Sequence, residues 1–227
     1  MGNLYITEVV KKLIILNIAI FFIAYYVFPS YAELLALHYP FAPPVVSPDM
    51  QKMFDTQNSR STGFMPMQIV TSMFMHGNTN HLIMNMLPLF FLGPIIEMAL
   101  GKERFLIYYV LTGLGSMALQ IAFQWYDVNY NPAHDEFTKL LMSHGTVVGA
   151  SGAIFGLMVA LGILMPQAQL SGMFIPIPIR AWVFVLVYIG VEFYHILFHP
   201  TPGIAHYAHI GGALFGAMLL LFWKKRN

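Results

Sequence analysis

Four side chains set in apolar surroundings give this sequence its chemistry. Ser151 lies in 147-VVGASGAIFGLMVALG-162, held between Gly149, Ala150, Gly152 and Ala153. His209 belongs to the run 206-HYAHIGGALFG-216, and His81 and Asn85 belong to 76-HGNTNHLIMN-85. A serine hydroxyl is a poor nucleophile until a base takes its proton, and histidine is the usual base. Acyl transfer also needs donors for the developing oxyanion. His81 and Asn85, at i and i+4, share a helix face and can both donate. A helix beginning near Ser151 would add free backbone N–H groups and the positive end of its dipole.

The chain that must position these groups belongs in a membrane. Of its 227 residues, 58% are hydrophobic and 9% charged, too few charges to cover a water-facing surface. No cysteine is present, which excludes disulfides, thiolate metal sites and a cysteine nucleophile. A net charge of +1 without a long basic run gives no case for nucleic acid as a partner. Six apolar stretches are long enough to span a bilayer: about 11–28, 81–100, 104–124, 145–165, 180–198 and 206–223. Their continuous apolar character predicts an all-α, polytopic, six-transmembrane-helix bundle in one domain, 1–227, and argues against strands. The long segment 29–80 is too irregular to span and too apolar to be a free tail, so part of it is expected in the membrane interface. The first apolar run ends in Pro-Ser-Tyr without a small-x-small site, so it reads as a span and not a cleaved signal.

With the N-terminus inside, the inner segments carry Lys11, Lys12, Lys102, Arg104, Arg180, Lys224, Lys225 and Arg226. The outer ones carry Lys52, Arg60 and Lys139. Positive residues collect on the cytoplasmic side, so both termini are expected there. Spans two, four and six then all run inward. Counted to Gly101, Pro166 and Lys224, the groups Asn85, Ser151 and His209 each stand about 15 residues from the inner boundary. At 1.5 Å per residue that is about 22–24 Å of a core about 30 Å thick. All three therefore fall at one depth below the outer edge, which implies a cavity open to the outer side. No Asp or Glu stands at that depth on these three spans, with Glu97 near the inner face and Glu192 elsewhere, so a Ser-His dyad is expected in place of a triad.

Plainer readings compete with each motif. Small-x-x-x-small faces bring membrane helices together without chemistry, and Gly152/Gly156 and Gly212/Gly216 form two such faces. Their contact would carry His209 to Ser151. His76, His81, His206 and His209 could ligate zinc. No carboxylate joins them at that level, however, and their spacing suits chelation poorly, so neither a metal nor another cofactor is expected. Glu192 and His195, at i and i+3 on span five, read as a buried polar pair. His38, His134, His144 and His199 read as loop or interfacial residues.

Taken in order on spans two, four and six, His76…His81-x3-Asn85, Gly149-x-Ser151-Gly152 and His209-x-x-Gly212-x-x-x-Gly216 resemble the rhomboid intramembrane serine proteases. The stretch 97-EMALGKERFLIYYVLTG-113 resembles the same family, and the likeness covers about 64–223. It implies Ser151 as nucleophile, His209 as general base, and an oxyanion hole from His81, Asn85 and the Ser151 N–H. His76, His206, Gly149 and Phe155 are accessory positions. It also implies transmembrane protein substrates, a first loop partly embedded in the bilayer, and span five as a lateral gate. Two features depart from the family: Met67-Gln68 where Trp-Arg is common, and Phe155 where a tyrosine often stands four residues after the serine. The expectation is an intramembrane serine endopeptidase of a bacterial inner membrane. A proteolytically silent rhomboid-like binding factor and a transporter or channel are the rivals. The first usually lacks the serine or histidine, and the second predicts inverted repeats that the sequence does not display.

Overall fold

A computed structural model describes residues 6–29, 32–41, 44, 46–49, 52, 63–172, 175–198 and 205–226. His199 and Arg60 lie outside the described residues. In chain order the helices are α1 (Glu8–Phe22, continued by a π-helical turn Ile23–Val27), α2 (Ala32–Leu35), α3 (Gln68–Thr71), α4 (Thr79–Leu100), α5 (Lys102–Asn129), α6 (Glu136–His144), α7 (Ser151–Leu164), α8 (Ala181–Phe198) and α9 (His206–Arg226). Five of them, α1, α4, α5, α8 and α9, are long and apolar enough to cross a membrane. The sixth apolar helix, α7, has 14 residues, about 21 Å, less than a full crossing.

That short helix is the centre of the bundle. Every residue from Gly152 to Leu161 is buried, with α4, α5, α8 and α9 packed around it. The expected span 145–165 begins instead as extended chain, because 145–150 is used to build contacts. Val147 and Leu37 exchange both backbone hydrogen bonds, 2.9 and 3.0 Å, and Gly149 donates to the Ser72 carbonyl at 2.9 Å. Gly149 holds φ +130°, a conformation that favours glycine, and so breaks the chain direction immediately before α7.

Outward faces are apolar throughout: Phe22, Leu186, Val187, Leu197, Phe198, Met218 and Leu221 are all exposed. In water this surface would drive association; in a bilayer it is the lipid contact. The protein is an integral membrane protein. Of the five long helices α8 is the least embedded in the bundle, burying only Ala181, Val185 and Glu192.

Buried polar residues fasten the pieces that carry no site chemistry. Glu97, near the inner end of α4, accepts from Thr7 Oγ1 at 2.5 Å and from the backbone N–H groups of Val9 and Val10 at 3.2 and 3.0 Å. A carboxylate thus closes the N-terminus of α1, where unpaired N–H groups and the helix dipole favour negative charge.

In the first loop, Gln68 is wholly buried. Its Oε1 accepts from His38 N and Met65 N at 3.3 and 3.0 Å, and its Nε2 donates to the Leu34 and Gly63 carbonyls, both at 3.3 Å. Gln68→Ala leaves these backbone groups unpaired. The expected cost is about 1–3 kcal/mol of stability, read as a lower Tm of the purified protein in detergent.

The connection after α7 departs from an all-helical reading. Gln169–Gly172 and Ile175–Arg180 pair as antiparallel strands β1 and β2, with Gln169 opposite Arg180 and Leu170 opposite Ile179. The alternation in 175-IPIPIR-180 is a strand signal, but its two prolines mark an edge strand at best. The hairpin lies between spans and leaves the helical bundle as expected.

Candidate active site

Ser151 is the first residue of α7, so the N–H groups of Ser151, Gly152 and Ala153 have no partner within the helix; the first intrahelical bond is Ile154 N to Ala150 O, 3.1 Å. His209 stands in the first turn of α9, whose start is fixed by Ala208 N donating to the buried Gln120 Oε1 at 3.2 Å. The two helices meet glycine to glycine. A Cβ on Gly212 would lie 1.8 Å from the Gly152 carbonyl oxygen, and one on Gly216 would lie 3.1 Å from Gly156 Cα. Helix α5 closes the third side, where Tyr108 donates to the Gly156 carbonyl at 2.7 Å.

At that closeness His209 Nε2 is 2.9 Å from Ser151 Oγ. Phe155, one turn along α7 from the serine, stacks on the His209 ring at 4.4 Å between centroids and 8° between planes. The ring needs no hydroxyl to hold the imidazole flat.

Helix α4 brings the second set. Asn78 caps it by accepting from His81 N at 2.9 Å. Gly77 N donates to His81 Nδ1 at 3.3 Å, so in the neutral ring the proton sits on Nε2. A Cβ built on Gly149 would lie 2.9 Å from His81 Nε2 and 3.7 Å from Ser151 Oγ, which puts this donor beside the serine. Asn85 is buried and gives one amide hydrogen to the His81 carbonyl at 2.8 Å, leaving a second to give. His76, wholly buried, packs edge-on against His81 at 5.2 Å. Burial, with His81 nearby, holds it down at about 4, so it is neutral in the physiological range.

Two sequence expectations need correction. A carboxylate does reach this level: Glu192 arrives from α8, outside spans two, four and six. Its Oε2 is 2.6 Å from His206 Nδ1 and its Oε1 is 2.9 Å from His209 Nδ1. Glu192 therefore pairs with the histidines of α9 and not with His195, which stacks on His206 at 5.2 Å. A carboxylate also joins the histidines as a ligand-type group, because such atoms of Glu192, His206 and His209 lie within 4.8 Å of one another. The signal was present as an acidic residue in an apolar span, which calls for a partner. The partner lies 14 residues or more away, on another helix.

Fold and site together define a polytopic helical membrane protein with a hydrogen-bonded serine and histidine at the ends of two closely packed helices. A profile of the rhomboid domain matches residues 64–226. Over 151 residues, 65% of this chain and 52% of the relative, the sequence is 30% identical to the rhomboid protease AarA of Providencia stuartii. It is 26% identical over 199 residues to the mitochondrial presenilin-associated rhomboid-like protein A of Danio rerio, covering 81% of this chain and 45% of that one. With the mitochondrial rhomboid protein 1 of Saccharomyces cerevisiae it shares 27% over 157 residues, 66% and 40% of the two chains. The chain belongs to the rhomboid family. It spans about half or less of the length of these relatives.

Proposed function

We propose that this protein is an intramembrane serine endopeptidase that hydrolyses peptide bonds in or near transmembrane segments of membrane-protein substrates. The observation that carries the reading is the 2.9 Å contact between His209 Nε2 and Ser151 Oγ at the N-terminus of α7. His209 Nε2 takes the Ser151 proton as Oγ bonds to the scissile carbonyl carbon, and the carbonyl electron pair moves onto its oxygen. That oxyanion is met by the Ser151 N–H, His81 Nε2–H and the Asn85 amide, with the α7 dipole behind them. The Nε2 proton then passes to the amide nitrogen as the C–N bond breaks. Water, activated by the same imidazole, adds to the acyl carbon; Oγ leaves and recovers a proton.

The charge distribution supports both termini on the cytoplasmic side with the site open to the outer side, and the proposed setting is a bacterial inner membrane. Two of the relatives are mitochondrial proteins.

Cleavage of a transmembrane reporter by the purified protein in liposomes tests the reading. A folded protein that leaves every such reporter intact would favour a silent relative. Within active protein, Asn85→Ala and His81→Ala are each expected to lower kcat by about 10²–10³-fold, the usual loss for one oxyanion donor, with little change in KM.

A further inference from the structure

Helix α8 buries three residues, and one is a glutamate. Placing an acid on an apolar helix in a bilayer is costly, so it is kept where a partner or a function compensates. Glu192 has two partners, both on α9. His206 Nδ1 donates to its Oε2 at 2.6 Å, which fixes the carboxylate's orientation. That orientation places Oε1 2.9 Å from His209 Nδ1, within ion-pair distance but too bent for a hydrogen bond, so that Nδ1 forms none. Bent contacts of this kind are common in unliganded sites and straighten when substrate binds. On the opposite side of the same ring, Nε2 faces Ser151 Oγ, and Phe155 covers one of its faces. Serine and carboxylate therefore sit against the two different nitrogens of one imidazole ring.

We propose that Glu192 is a positioning residue of the catalytic site, acting through His209; the proposal rests on the serine-protease reading above. An acceptor at Nδ1 keeps the ring proton there, so that the Nε2 lone pair is free to take the serine proton. When it has done so, the imidazolium faces a carboxylate across Nδ1–H, while Nδ1 keeps its own proton throughout. His206 holds the carboxylate in place and touches neither the serine nor the base's reacting nitrogen. The machinery is then a Ser151–His209–Glu192 line, with its third member delivered by the span that is least embedded in the bundle. The titratable groups around Glu192 are His206 and His209 on α9 and His195 one turn along α8, with His81 of α4 beyond the serine.

Glu192→Gln tests this with the shape of the side chain kept. The glutamine amide can donate to Nδ1 and so favour the tautomer with the proton on Nε2, which cannot act as base. Expected are a fall in kcat on the order of 10²–10⁴-fold with KM nearly unchanged, an unaltered Tm, and partial recovery in Glu192→Asp. A merely structural glutamate would move Tm and leave kcat of the folded fraction alone. A second readout uses wild-type protein: with nitrogen-labelled histidine, the Nδ1 proton of His209 should give a far-downfield proton resonance that disappears in His209→Ala. Folded Glu192→Gln with kcat within threefold of wild type would overturn the proposal, as would the absence of that resonance. In either case an inactive Ser151→Ala would leave the protease reading standing, whereas an active Ser151→Ala would remove that reading itself.

Discussion

Ser151→Ala and His209→Ala are each expected to abolish cleavage of a transmembrane reporter, with kcat falling on the order of 10⁶-fold and the fold retained. The magnitude is that seen when either member of a cooperating nucleophile–base pair is removed from a serine protease. The two losses should not add, because a serine without its base and a base without its serine are equally idle. Retention of the fold follows from the surroundings. Ser151 occupies the first helical position of α7 and is not a side-chain cap, so alanine removes no capping hydrogen bond. His209 is partly exposed, and its loss leaves the glycine contact below it intact. Unchanged Tm and detergent elution beside absent cleavage is the expected pair of observations for both variants.

The second large effect is on packing. Gly212→Val is expected to destabilise the bundle by about 3 kcal/mol or more, because the new Cβ would sit 1.8 Å from the Gly152 carbonyl oxygen, backbone that has no rotamer to escape through. For a chain of this size that is a fall in Tm of about 6–12 °C. Whatever folded protein remains should be crippled as well. Separating α9 from α7 by an ångström carries His209 away from Ser151, and misplacement on that scale costs about 10²-fold in rate. Gly190→Ala is the matched control: a Cβ there meets nothing within 4 Å, so Tm and cleavage should both stay close to wild type. Thermal unfolding and reporter cleavage on the same preparations separate the two glycines.

The sequence made the apolar spans legible because a bilayer demands long, continuous apolar runs, and the helical membrane architecture follows from that demand. The residues around Ser151 stood out for a related reason: polar groups are rare in such runs, so their positions can be counted. What residue number does not encode is set by side chains that reach across the fold. Depth along a helix can be read from residue number, but which way a helix faces cannot. Spacing alone therefore pairs Glu192 with its i+3 neighbour His195, whereas its partners are on α9. Gln68, in a loop with no periodicity, gave no hint that it would hold four backbone groups at once. The expected span 145–165 is longer than α7 because 145–150 carries no charge to mark a boundary, and the backbone of Gly149 and the pairing of Val147 with Leu37 show where the helix starts.

The central claim is that Ser151 is a nucleophile made reactive by His209. A fluorophosphonate probe tests it without requiring a known substrate, since it bonds covalently to an activated serine. Wild-type protein in detergent should take up one probe, mapped by mass spectrometry to Ser151, with no adduct in Ser151→Ala and greatly slowed labelling in His209→Ala. A folded wild-type protein that takes up no probe, or a Ser151→Ala protein labelled as fast as wild type, would contradict the account.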